Sequence, residues 1–339
     1  MLHPPNRAVA SETIVRARLG NLSASITPGP RTMWRFWRGA CYVILLLVVF
    51  GQPLLVLANY AAHSSLHSYI LLIPFVSAYL LYLRRDQLPK KYATDSSLGI
   101  ILLACGLGLF LFTRWPNLVG HVPADNYHLT LLALSFLCCL AASGFFFLGC
   151  DWMRAAAFPL AYLIFLVPMP DAMADALETA SQYASAEVAN VLFHLSGMPF
   201  LRAGLFFQLP NIEFQVAQEC SGIRSSWVLL MTSILASHLF LQTPWRRLVF
   251  VAFIVPLGIL RNGFRIFVIG LLCTKAGPQM IHSLIHRRGG PAFFLLSLIP
   301  FLLLLCWLRK GETRTRLVKL CRASLPAQTP LTSRNPPAC

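Results

Sequence analysis

HLTLLALSFLCCLAASGFFFLG, residues 128–149, decides the fold. No Asp, Glu, Lys or Arg interrupts these 22 residues. That is close to the roughly 20 apolar residues a helix needs to cross a bilayer. Similar runs lie on both sides, at 39–59, 67–83, 97–113, 155–168, 223–243, 248–270 and 291–308. Over the 339 residues, 57% are hydrophobic and 12% charged, where a soluble domain carries roughly 25% charge. An ordinary soluble enzyme and a disordered chain are both excluded. The expected fold is an all-α polytopic membrane protein of about eight transmembrane helices, with a small extracytoplasmic helix-plus-hairpin insertion.

The formal net charge of +16 maps topology rather than a nucleic-acid partner. Basic residues gather between alternate apolar runs, the pattern of cytoplasmic loops. They occur before 39, at Arg84, Arg85, Lys90 and Lys91, at Arg154, at Arg246 and Arg247, and after 308. Twenty of the 28 Lys and Arg residues fall on that one face. Both termini are therefore expected in the cytoplasm of a multi-pass protein of the cell membrane. The opposite loops are poor in basic residues, except 271–290 with Lys275, Arg287 and Arg288. Three regions follow: a disordered cytoplasmic tail over 1–36, a transmembrane domain over 37–310, and a basic cytoplasmic tail over 311–339.

Segment 169–219 is the long extracytoplasmic connection. Pro168-Met169-Pro170 ends a helix, because proline has no amide donor. An amphipathic helix is expected over 172–195, with Met173, Leu177, Ala180, Ala184, Val188 and Val191 on its apolar face; Glu187 falls near that face and weakens the pattern. Alternating apolar and polar residues over 204–218 predict a β-hairpin turning near Leu209-Pro210-Asn211.

Chemistry concentrates beyond the hairpin. Glu219-Cys220-Ser221-Gly222-Ile223-Arg224 opens the sixth apolar run. Cys220 and Arg224 share a helix face at four-residue spacing. A helix N-terminus and a guanidinium both raise the thiolate fraction of a cysteine; the alternative is a structural thiol beside a snorkelling arginine. Arg261-Asn262-Gly263-Phe264-Arg265 puts ionisable groups within the seventh run, where they are costly and usually face a bundle interior or cavity. Arg265 is expected near the outer face, at the depth of Cys220. His282 and His286 precede the eighth run, with a Gly289-Gly290 turn after them and Pro291 in the first helical turn. They stand four apart as two metal ligands could, but no Glu pattern or third ligand accompanies them, so neither a metal nor another cofactor is expected. Nucleophilic Cys, general acid/base His and oxyanion-stabilising Arg suffice for acyl transfer.

These residues resemble the exosortase/archaeosortase family of integral-membrane cysteine transpeptidases. The likeness runs from about Phe165 to Leu305. It rests on Phe165-Leu166-Val167-Pro168-Met169-Pro170, on Glu219-Cys220-Ser221-Gly222-Ile223-Arg224-Ser225, on Asn262-x-x-Arg265 and on His286 ahead of the last run. The Arg287-Arg288-Gly289-Gly290-Pro291 run departs from the commonest family form, and leaves His282 as the alternative to His286. The resemblance implies Cys220 as nucleophile, Arg265 as catalytic arginine and His286 as third member, with Arg224, Asn262, Arg261, Ser221 and Gly222 in supporting or substrate-binding roles. It implies secreted proteins as substrates, each bearing a C-terminal motif, hydrophobic span and basic tail, cleaved at the outer membrane face. The rival expectation is a multispan transporter or exopolysaccharide-assembly component whose Arg261 and Arg265 bind an anionic substrate.

Overall fold

The computed structural model describes residues 30–64, 66–89, 96–114, 126–210, 212–216, 222–276 and 284–324. The chain divides into two compact units, Met1–Asp171 and Ala172–Cys339.

In the first unit, α1 (Pro30–Val49) is followed by α2 (Gly51–His63). The two are bent by 63°, and Pro53 has no amide to bond the Val49 carbonyl across the break. A 3-10 turn (Ser68–Leu72) leads into α3 (Ile73–Leu83), and α4 (Ser96–Arg114) and α5 (Tyr127–Phe147) follow. The short α6 (Cys150–Ala155) and α7 (Ala157–Tyr162) then lead into a 3-10 turn (Leu163–Leu166). Small residues let α4 approach α5. A β-carbon on Gly106 would lie 2.6 Å from Cys139 Sγ, and Ser135 Oγ donates to the Gly106 carbonyl at 2.7 Å. Leu46, Phe50, Leu57, Ile70, Phe136 and Leu166 form the apolar core.

The start of α5 pins the proline elbow that closes this unit. Asn126 Nδ2 donates to the Met169 carbonyl at 2.7 Å and to Asp171 Oδ1 at 3.3 Å. Thr130 Oγ1 donates to the Pro168 carbonyl at 3.0 Å. Without these partners Met169 and Pro168, both buried, would carry unsatisfied carbonyls where the helix stops.

The second unit begins in α8 (Asp171–Leu195) and continues through β1 (Leu201–Ala203), β2 (Phe206–Leu209) and β3 (Ile212–Gln215). Four helices follow: α9 (Ile223–Phe240), α10 (Pro244–Ala252), α11 (Ile254–Ala276) and α12 (Leu284–Ser324). The strands form an antiparallel sheet in the order β1-β2-β3, with Phe207 opposite both Arg202 and Phe214. Phe207, Leu209 and Val216 are buried with Ala186, Ala189 and Phe193 of α8 and Ile266 of α11. A second cluster unites Leu229, Phe250, Ile254, Leu257, Phe301 and Leu305 from α9 to α12. The Glu312 carboxylate of α12 accepts from the Gln242 and Thr243 amides at 2.7–3.1 Å, which caps the N-terminus of α10.

The all-α polytopic fold stands, and several expectations within it are corrected. Among the described residues, five helices are long and apolar enough to span a membrane, or up to seven if each bent pair is one span. The expected count of eight is not confirmed among them. Run 67–83 yields only the shorter apolar Ser68–Leu83, and run 155–168 yields the short apolar Ala157–Leu166. The face of α8 is also different. Its buried residues are Ala174, Gln182, Ser185, Ala186, Ala189 and Phe193, while Met173, Leu177 and Val191 are exposed. Small residues bring α8 against α11, where β-carbons on Gly263 and Gly270 would meet Val188 at 2.5 Å and Phe193 at 2.6 Å. Membrane helices associate through such small residues rather than by hiding their largest apolar side chains. Glu187 is exposed and accepts from Arg202 Nη2 at 2.8 Å, so it does not interrupt the packed stripe. The hairpin gains a third strand, turned into β2 through Gly204 at φ +63°. Helix α12 starts at Leu284 and runs through Gly289-Gly290-Pro291, where a turn was expected.

Candidate functional site

The site is built where α11 crosses the start of α9. Gly258 permits the approach, since a β-carbon there would lie 2.7 Å from Ser226 Oγ. Arg261 stands three residues further along α11 and so projects on the same side. Its Nη2 donates to Ser226 Oγ at 3.0 Å and to the Gly222 carbonyl at 3.1 Å. Gly222 precedes α9 in the left-handed region, φ +67°, ψ 9°, a conformation glycine adopts without a Cβ clash. Its carbonyl also accepts from the Ser226 amide and Ser225 Oγ, each at 3.0 Å.

Arg261 and Asn262 converge on this turn. A β-carbon on Gly222 would stand 3.1 Å from Arg261 Nη2 and 3.2 Å from Asn262 Oδ1. Both side chains are inside the protein, Arg261 9% and Asn262 2% exposed. Arg261 Nη1 and Asn262 Nδ2 are buried and meet no hydrogen-bond partner among the described residues. Arg265, one turn along, is partly buried. Arg224, in the first turn of α9, is exposed.

Thus Gly222, Arg261 and Asn262 come together, and Arg265 continues the same helix. Cys220, Ser221 and His282 lie outside the described residues. His286 lies in the first turns of α12, where only the backbone is described. Sequence reasoning gave Ser226 no role and missed Gly258. The signal was present: Ser226 is four residues after Gly222, and Gly258 three before Arg261, so each shares a face with a residue already singled out.

A buried guanidinium, a buried amide and a glycine turn at a helix start define a polar centre inside an apolar multi-helix protein. The model of the family described as Transmembrane exosortase (Exosortase_EpsH) matches residues 61–303, well over half of the chain. The chain belongs to the transmembrane exosortase family and is a multi-pass membrane protein. No curated protein and no solved structure matches it.

Proposed function

We propose that the protein is a membrane-embedded cysteine transpeptidase that cleaves C-terminal sorting signals of secreted proteins at the outer membrane face. The observation that carries this is buried Arg261, bonded to the Gly222 carbonyl beside buried Asn262, two residues after Cys220, in a chain of the exosortase family. The Cys220 thiolate attacks the carbonyl carbon of the scissile peptide, forming the C–S bond. Arg265 stabilises the oxyanion of the tetrahedral intermediate. As the C–N bond breaks, His286 gives a proton to the leaving amine. A thioester remains on Cys220. His286 then takes a proton from the incoming amine or water, which displaces the thiolate. Arg224, four residues after Cys220, supports the thiolate or holds a substrate carboxylate. The substrate's apolar span packs in the bilayer, and its basic tail stays cytoplasmic.

Cys220→Ala is expected to insert and fold normally, and to leave a co-expressed secreted reporter with a motif–span–basic-tail terminus uncleaved. Cleavage at the wild-type rate in that variant contradicts Cys220 as the nucleophile.

A further inference from the structure

Ser226 makes a contact that the other serines of α9 do not. Ser225, Ser233 and Ser237 each donate to the carbonyl three residues before them, at 3.0, 2.7 and 2.8 Å, the local bonding open to a hydroxyl inside a helix. Ser226 Oγ instead accepts from Arg261 Nη2 of α11 at 3.0 Å. The same nitrogen reaches the Gly222 carbonyl at 3.1 Å. That oxygen already accepts from the Ser226 amide and Ser225 Oγ, each at 3.0 Å. A carbonyl oxygen has two lone pairs, so three donors compete for it. The guanidinium also lies at the N-terminus of α9, the positive end of the helix dipole, where a cation is disfavoured. The Ser226 oxygen is therefore the acceptor that secures Arg261 there. Space for it comes from α11, since a β-carbon on Gly258 would lie 2.7 Å from Ser226 Oγ and 3.4 Å from Ser226 Cβ. Gly258 and Arg261 stand three residues apart, so the gap and the donor share one face of α11.

We infer that Ser226 is a positioning residue: its hydroxyl oxygen fixes the Arg261 guanidinium against the Gly222 carbonyl, and through it the turn that follows Cys220. It acts through Arg261 alone. Its effect on the rate of cleavage rests on the transpeptidase reading, while the contact itself does not. A residue that orients the turn without holding substrate lowers kcat and leaves KM.

The experiment is a double-mutant cycle in the full-length chain in detergent, with Ser226→Ala, Arg261→Met and the two together. It is read as kcat and KM for cleavage of a reporter with a C-terminal sorting signal. Ser226→Ala is expected to lower kcat about tenfold, the scale of one hydrogen bond to a charged group, and to leave KM unchanged. In the Arg261→Met background the same change is expected to have no further effect, because the two partners of one contact do not add. Ser233→Ala removes a buried hydroxyl bonded within its own helix and is expected to cleave at the wild-type rate. The same fall from Ser226→Ala in both backgrounds overturns the inference. So does wild-type cleavage by Ser226→Ala, a change in KM alone, or an equal fall in Ser233→Ala. The cycle is read a second time on the rate at which iodoacetamide alkylates Cys220, two residues before Gly222. Ser226→Ala and Arg261→Met are expected to shift that rate in the same direction, and the double variant no further than Arg261→Met. Additive shifts, or none in Ser226→Ala, overturn the inference. A wild type that cleaves no reporter contradicts the transpeptidase reading alone, and the alkylation cycle still decides Ser226.

Discussion

Gly222 holds its left-handed turn with φ +67° because hydrogen is its side chain. In Gly222→Ala the new β-carbon meets Arg261 Nη2 at 3.1 Å, and the left-handed backbone itself costs roughly 1–2 kcal/mol. The variant is expected to remain inserted while reporter processing falls on the order of 10²-fold, the effect of a misplaced reacting group. Processing at the wild-type rate would show that the turn does not position the chemistry. Arg265→Ala is expected to lower processing by about 10²- to 10³-fold, the loss that follows removal of one oxyanion donor, with the protein still inserted. At this scale the sequence was informative where polar residues interrupt apolar runs, as at Gly222, Arg261 and Asn262. It was silent on Ser226, because a serine in a membrane helix usually bonds its own backbone, as Ser233 does to Leu230 at 2.7 Å.

The elements depend on contacts that hydropathy does not register. Asn126→Ala removes the donor to the Met169 carbonyl, made at 2.7 Å. Leaving that buried carbonyl unpaired is expected to cost about 1–3 kcal/mol, read as a lower melting temperature in detergent and faster proteolysis at the elbow. Gly263→Leu drives a side chain into Val188 and the Ser185 carbonyl, 2.5 and 2.9 Å from a β-carbon there, and is expected to destabilise α8 against α11 more than the same change at Gly108, which faces open space. The Glu187–Arg202 pair gives a small pH dependence in the segment expected outside the membrane. Its hydrogen bond from Arg202 holds the Glu187 carboxyl below the usual range. The pair therefore contributes above the ordinary glutamate value of about 4.3 and is lost as pH falls through the lower folded value. The pair is exposed, so Glu187→Gln is expected to change stability by less than about 1 kcal/mol and to flatten that acid limb.

The face of α8 teaches the same lesson. Its apolar positions Met173, Leu177 and Val191 were visible as a stripe, yet they point outward and the packed stripe is Ser185, Ala186 and Ala189. Close approach of small residues holds α8 to α11 and leaves its larger apolar side chains outside, as on a helix that lies along a membrane interface. Strand β1 escaped notice because three residues are too few to show alternation.

For the whole molecule, the apolar runs gave the class of fold, since backbone groups inside a bilayer must bond within helices. They did not give the number of crossings, because Pro53 bends a run that looks continuous in hydropathy. The charge distribution makes a separate claim. With Arg84, Arg85, Arg246 and Arg247 cytoplasmic, a reporter active only outside the cytoplasm is expected to work when fused after Arg202 and to fail after Arg247. The opposite pattern would invert the topology and place Cys220 on the cytoplasmic side.

The central claim is a covalent acyl-enzyme on Cys220. The direct measurement is site-resolved mass spectrometry of the full-length protein, acid-quenched during reaction with a reporter carrying a C-terminal sorting signal. Acid protonates the acceptor amine and preserves a thioester. A reporter fragment joined to Cys220 by a thioester, released by hydroxylamine and absent from Cys220→Ala, is the predicted result. Reporter cleavage that proceeds with no adduct on Cys220, or with the adduct on another residue, would contradict it.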